Sequence, residues 1–298
     1  EEARAALPDL SGQLSDLLAG AGGCSPFLKS LILQEAAWLQ GALYAPDEAF
    51  KRLLADLPEV PPDSLAGALR TAKRRTALLL GLADLAGVWP LEEITGRLTE
   101  FADLACDLAL KAALGAEIRR GKLPGMTEAD IATGAGMVVF AMGKMGAKEL
   151  NYSSDIDLIC LFDETRFTRD DFHEARASLV RATRKMAAML NDRTAEGYVF
   201  RTDLRLRPDS GVTPVCMAMA AAETYSKALG AHGSARRGSR RGPVPAISTR
   251  ARGFWPRCGR SSGANIWTSP RSMTPTTCVW RSARIRASAG RCALKATT

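Results

Sequence analysis

The sequence predicts an α+β fold: an N-terminal helical domain over residues 1–120, a small mixed-sheet domain over 121–230, and a C-terminal tail, 231–298, that does not read as native. Three observations lead there. Apolar residues keep a helical period through the first 120 positions, the period then switches toward two, and acidic residues stop altogether after about residue 230.

The clearest helix follows Pro90, where Leu91, Ile94, Leu98, Phe101, Ala105, Leu108 and Ala112 recur at alternating steps of three and four and so share one stripe. Partners for that stripe come from the stretches 7–18, 26–43 and 65–88, with Pro58, Pro61 and Pro62 marking a break. Trp38 and Trp89 read as packing residues rather than ligand platforms. A polar, glycine-containing connection over 119–136 leads to two short apolar runs, 137–142 and 156–162, each expected to be a strand. Next a helix is expected to open near Asp170 and Asp171, to carry Phe172, Ala175, Leu179, Ala182, Met186 and Met189 on one face, and to stop before Gly197. Residues 198–207 then alternate, with Tyr198, Phe200, Thr202, Leu204 and Leu206 opposed to Arg201, Asp203, Arg205 and Arg207, which predicts a third strand.

Composition narrows the function classes. At 298 residues and 46% hydrophobic content the chain can bury one or two ordinary cores. Residues 1–30 hold no basic flank followed by an apolar run, and no stretch is apolar for long enough to span a bilayer, so the chain reads as cytoplasmic. Its 7 cysteines are scattered without a C-x-x-C pair and it has 2 histidines, which argues against structural zinc and against a disulfide framework. The formal charge of +8 suggests nucleic acid until its distribution is followed. All 32 Asp and Glu lie in residues 1–230, whereas 231–298 contain 14 Lys and Arg and no acid. A basic RNA-binding arm has such a composition, and so does translation in the wrong frame. Permitted codons for the tail, read one position earlier, yield RTWERAAWIKARP from Gly230 and EHLDFAAIDDAHDVRLAIRAHKGLGG from Gly263 onward. Acids and helical spacing return in that frame, which favours a shift near Gly230.

Chemistry concentrates in the second domain. In a strand, residues two apart project to one side, so Asp155 and Asp157 present two carboxylates to one point while Ile156 and Leu158 face the core. Two hard oxygen ligands suit Mg²⁺, which keeps waters or substrate phosphates in its remaining positions. A lone D-x-D is also a common solvated strand end. Gly143 and Gly146 lie in a turn straight off a strand, where bare backbone N–H groups can approach phosphate oxygens. Ser153 and Ser154 stand just before the carboxylates, where a hydroxyl can hold the same phosphate. Asp203, with Arg205 and Arg207 on the same polar face, adds a carboxylate and two guanidiniums suited to bidentate phosphate contact, although an exposed ion-pair ladder has the same pattern.

The segments AMGKMGAKELNYSSDIDLICLFDE and YVFRTDLRLRPD resemble the bacterial glutamine-synthetase adenylyltransferase, also called the adenylyl-removing enzyme, a family of the DNA polymerase β-like nucleotidyltransferase superfamily. The superfamily pattern of a glycine turn, about ten residues and D-x-D is matched by Gly143, Lys144, Asp155 and Asp157; many members carry serine where this chain has Lys144. Asp203 matches the strand with the third carboxylate. The likeness extends less specifically over 24–125 and to about Tyr225, and NYSSDIDL after a helical lead-in is similar to the N-terminal half of a two-half enzyme. The second catalytic half is absent, and the tail replaces the helical domain that should follow.

That resemblance implies removal of AMP from an adenylylated tyrosine of glutamine synthetase by phosphorolysis, releasing ADP. It implies Asp155, Asp157 and Asp203 as catalytic and Mg²⁺ ligands, with Gly143, Lys144, Gly146, Ser153, Ser154, Arg205 and Arg207 around phosphate or nucleotide. It also implies glutamine synthetase, the P-II signalling protein, ATP or ADP and inorganic phosphate as partners, without nucleic acid or membrane. Two alternatives stay open: forward adenylyl transfer from ATP, and a fragment that binds glutamine synthetase or P-II without turnover.

Overall fold

The computed structural model describes residues 2–10, 12–207 and 209–224. The tail over 231–298, and the frame shift expected near Gly230, lie outside the described residues. Those described form a helix-rich α+β fold with a small mixed sheet, as expected.

Helices come first. α1 (Glu2–Ala5), α2 (Gly12–Cys24), α3 (Pro26–Gln34), α4 (Ala36–Ala42) and α5 (Pro46–Asp56) are short, and α6 (Pro62–Leu85) and α7 (Leu91–Arg119) are long. Proline sits at the first turn of α3, α5 and α6, where its missing N–H costs nothing. At α3 the Ser25 side chain also accepts from Leu28 N at 3.2 Å. Gly87 (φ +64) ends α6 in the left-handed region that suits a helix stop, and Pro90 caps the start of α7. Of the stripe on α7, Ile94, Leu98, Phe101 and Ala105 are buried and Leu108 and Ala112 partly so, but Leu91 is 65% exposed. The physical reason is position: it is the first helical residue, beyond the end of α6. Farther along, Phe101, Ala102, Ala105, Ala109, Leu110 and Leu114 are all buried, so this helix is enclosed on more than one face.

The connection over 119–136 is not featureless. It holds α8 (Glu128–Ile131), whose Thr127 and Asp130 make a reciprocal capping box. Then come β1 (Met137–Met142), the one-turn helix α9 (Gly143–Gly146), β2 (Ile156–Phe162), α10 (Phe172–Asn191), β3 (Thr202–Asp203) and β4 (Cys216–Ala218). β2 is the centre of the sheet. β1 runs antiparallel along one edge, from Met137 opposite Phe162 to Met142 opposite Asp157. The other edge is shared in parallel by β3 beside Ile156 and Asp157, and by β4 beside Cys160, Leu161 and Phe162.

The third strand is therefore much shorter than the alternation over 198–207 predicts. The Asp203 carboxylate accepts from Arg205 N at 2.7 Å and turns the chain away. Arg207 then braces the 204–213 loop by donating to Thr213 O at 3.0 Å, Ser210 O at 2.7 Å and Leu204 O. Leu206, expected on the apolar face, is half exposed.

Alternation in β1 and β2 separates two apolar layers. Met137, Val139, Ala141, Ile156, Leu158, Cys160 and Phe162 join one large core with residues of α7, α10 and the earlier helices back to Ala42. Val138, Phe140, Met142 and Leu161 point the other way, onto Met217, Met219 and Ala222. Trp89 packs as expected, with the Arg97 guanidinium 3.9 Å from its ring centre.

Candidate functional site

The site grows from the end of β2 where its outward face emerges from the core. Asp157 is on that face, opposite the inward Ile156 and Leu158, and Asp203 of β3 is level with it across the parallel ladder. Asp155 precedes the strand by one residue. The turn off β1 approaches from the other edge. Gly143 takes φ +58, and a Cβ there would stand 2.9 Å from Asp157 Oδ2, so both conformation and space call for glycine. Gly146 is buried inside α9 rather than facing the site.

The link from Gly146 to Asp155 is held by its own polar groups. Asn151 Oδ1 accepts from Tyr152 N at 2.8 Å, and Ser154 Oγ accepts from Asn151 N at 3.3 Å. Beside it an open cavity of about 670 Å³ is lined by Gly143, Lys144, Asn151, Tyr152, Ser153, Ser154, Asp155, Asp157 and Arg201. Six residues named from the sequence thus meet at one cavity: Gly143, Lys144, Ser153, Ser154, Asp155 and Asp157. Gly146, Asp203, Arg205 and Arg207 are not in its lining.

Electrostatics divide the three carboxylates. Arg201 donates through Nε to Asp155 Oδ1 and through Nη2 to Ser153 O at 2.7 Å, and both side chains of this ion pair are half exposed. The Arg205 guanidinium grips Asp203, with Nε 2.9 Å from Oδ2, and this hydrogen bond holds the Asp203 carboxyl below the ordinary range. Asp157 has neither a hydrogen bond nor an ion pair among the described residues. Burial, followed by the charges of Asp203 and Asp155, pushes its carboxyl up against the opposing pull of Arg205.

The expected trio around one ion is not assembled: among the described residues no three His, Cys, Asp or Glu side chains are grouped to hold a metal. The donor chemistry still fits magnesium, which binds through one or two carboxylates and takes its other oxygens from water and phosphate. An uncompensated carboxylate between two others is a place where added positive charge is favourable.

Sequence reasoning missed Arg201, Asn151 and Tyr152. The signal for Arg201 was present, because the alternation places it on the same face as Asp203. Asn151 has the turn-forming chemistry that a link into a strand needs. Tyr152 gave no comparable signal. Behind the site, Lys73 of α6 lies with Nζ 3.9 Å from the Phe200 ring centre, and burial lowers its pKa to about 7.

Comparison with known proteins gives a consistent result. Residues 12–232 match the family model described as glutamate-ammonia ligase adenylyltransferase. Among similar relatives is the bifunctional glutamine synthetase adenylyltransferase/adenylyl-removing enzyme of Bradyrhizobium sp. (strain ORS 278), 42% identical over 224 residues, 72% of this chain and 22% of the relative. The protein of the same description from Xanthobacter autotrophicus is 42% identical over 70% of this chain and 21% of its own length. That from Agrobacterium fabrum is 37% identical over 77% and 24%. The match thus covers between about a fifth and a quarter of these relatives.

Proposed function

The chain belongs to the glutamate-ammonia ligase adenylyltransferase family, and from that premise we propose that it carries a magnesium-dependent nucleotidyl-transfer site that removes AMP from adenylyl-tyrosine of glutamine synthetase by phosphorolysis, giving ADP. The observation that carries the reading is the convergence of the Gly143 turn, the 151–154 link and the Asp155 and Asp157 carboxylates on one cavity. The family and the relatives' descriptions support the substrate, and NYSSDIDL supports the direction. Glutamine synthetase, P-II signalling protein, ATP or ADP and phosphate are the partners proposed with it.

Asp155 and Asp157 would hold the magnesium, and Asp203, level with Asp157 across the ladder, would add negative charge beside it. When bound, the ion supplies positive charge where negative charge accumulates on the phosphoryl oxygens. The chain's own groups do the rest. The Gly143 backbone leaves room for a phosphate beside Asp157, because no Cβ fills the space. Ser153, Ser154 and Lys144 line the cavity with donors to orient phosphate oxygens. The Arg201–Asp155 pair is half exposed and screened by solvent, so parting it costs little. Arg201 can then move its planar fork from a carboxylate to a phosphate, a ligand of matching geometry. Arg205 can make the same exchange from Asp203. Attack in line by inorganic phosphate forms the new P–O bond as the bond to the tyrosine oxygen breaks, and the tyrosine oxygen then takes up a proton.

The test is incubation of the chain with adenylylated glutamine synthetase, phosphate and Mg²⁺, alongside unmodified synthetase with ATP and Mg²⁺. Release of ADP in the first reaction, lost on chelation, supports the proposal. AMP incorporation in the second reaction alone would reverse the direction, and inactivity in both would end the catalytic reading.

A further inference from the structure

A second cavity, of about 570 Å³, adjoins the first, and the two share Tyr152 in their walls. It is formed by α2, α3 and α6. Leu17, Leu28 and Ala77 make its surface apolar, and Gly81 lets the helices approach, since a Cβ there would stand 3.1 Å from Leu28 Cδ2. Phe27 and Leu85, also in the lining, are 60% and 61% exposed. Large side chains left in water beside an apolar cavity mark a surface that another molecule covers.

Two carboxylates interrupt the apolar wall. Asp16 is ion-paired with Arg4 at 2.7 Å. Asp84 accepts from the Tyr152 hydroxyl at 3.5 Å, without an ion pair among the described residues, so its charge is available where the two cavities meet.

We propose that this groove docks the protein substrate, taking an apolar side chain from the segment that carries the modified tyrosine, with a neighbouring lysine or arginine of that segment set against Asp84. The inference rests on reading the adjoining polar cavity as the adenylyl-transfer site. A polypeptide whose tyrosine enters that cavity must carry its flanking residues past Tyr152, and an extended chain advances about 3.3 Å per residue, so a few residues reach the groove. A phosphodiester is common to every nucleotide ester, whereas an apolar anchor beside a charge pair distinguishes one polypeptide from another.

The test titrates purified adenylylated glutamine synthetase against the full chain by calorimetry, comparing wild type, Phe27→Glu/Leu85→Glu, and Tyr44→Glu as an exposed control outside the groove. Leu85→Glu alone replaces the double variant if the latter fails to fold. The groove variants are expected to weaken binding on the order of 10-fold or more, while the control binds like wild type. A small adenylyl-tyrosine ester, lacking flanking protein, is assayed in parallel and is expected to be turned over at the wild-type rate by every variant. Equal binding by groove variants and wild type, or no binding by wild type, overturns the docking proposal. If binding follows the expected pattern but no ester is turned over, docking stands and the catalytic reading falls.

Discussion

Asp157 lies on the outward face of β2 with Asp203 level with it and Asp155 two residues before it, and its carboxyl is pushed up by burial and by those two charges. Replacing it with asparagine keeps shape and removes charge. Turnover in Asp157→Asn is expected to fall on the order of 10³-fold, while the melting temperature at neutral pH stays level or rises, because the ionised form is disfavoured in the folded state. A melt and a rate on the same preparation check both. Gly143→Ala should do the reverse to the fold: the left-handed φ and the 2.9 Å approach to Asp157 cost about 1–2 kcal/mol, read by denaturant titration, and the displaced carboxylate lowers the rate. Asp103 on α7 tests electrostatics away from the site. Only 8% exposed, it has its pKa raised by burial from 3.8 to about 7, with Lys148 pulling the other way. A folded-state value above the unfolded one contributes stability below about pH 4 that is lost as pH rises through about 7. Asp103→Asn does not titrate, so its stability advantage over wild type should grow across that window, to about 4 kcal/mol at most, and level off above it; melts at pH 4, 5.5 and 8 decide.

β1 and β2 were legible because each is an apolar run bounded by residues that cannot continue it, Gly136 and Gly143 for one and Asp155 and Asp163 for the other. α10 was legible from its period and its acidic start. Where side chains rather than period set the backbone, the reading failed. β3 stops after Asp203 through that residue's own bond to Arg205 N, and Arg207 folds the next segment back. β4 is three residues long and carries no period at all. The site was legible in its glycine turn, serines and D-x-D, whereas Arg201, although on the same alternating face as Asp203, shows its place in the site through its contact with Asp155. The pairing of α7 with α10 was hidden in part: beside their shared apolar core it includes Glu117, whose side chain has no exposed surface and accepts from Arg181 at 2.9 Å and Lys185 at 2.8 Å. Burial raises its pKa, but those two bonds and charges hold it below the ordinary value. Glu117→Ala leaves three cations, Arg120, Arg181 and Lys185, without this acceptor, and a loss of about 3 kcal/mol is expected in urea unfolding.

Across the whole molecule, the two signs of charge are unevenly placed along the sequence. Every acidic residue lies within 1–230, and 231–298 add 14 basic ones. A chain ending at 230 should migrate as an anion at neutral pH, whereas the full chain, with the 14 basic residues of 231–298 added, should migrate as a cation; electrophoresis of the two checks it. Among the described residues, no helix is long and apolar enough to cross a membrane. One apolar layer runs from Ala42 on α4 through α7 to Cys216 on β4. During synthesis α5 and α6 emerge before α7 and can pack on it at once, whereas α10 and β4 follow later, so the part of α7 that they cover waits for up to about a hundred further residues, a delay on the order of ten seconds. Until then that part of the helix is exposed to water and prone to self-association, and a stall or stop before Cys216 would leave it so.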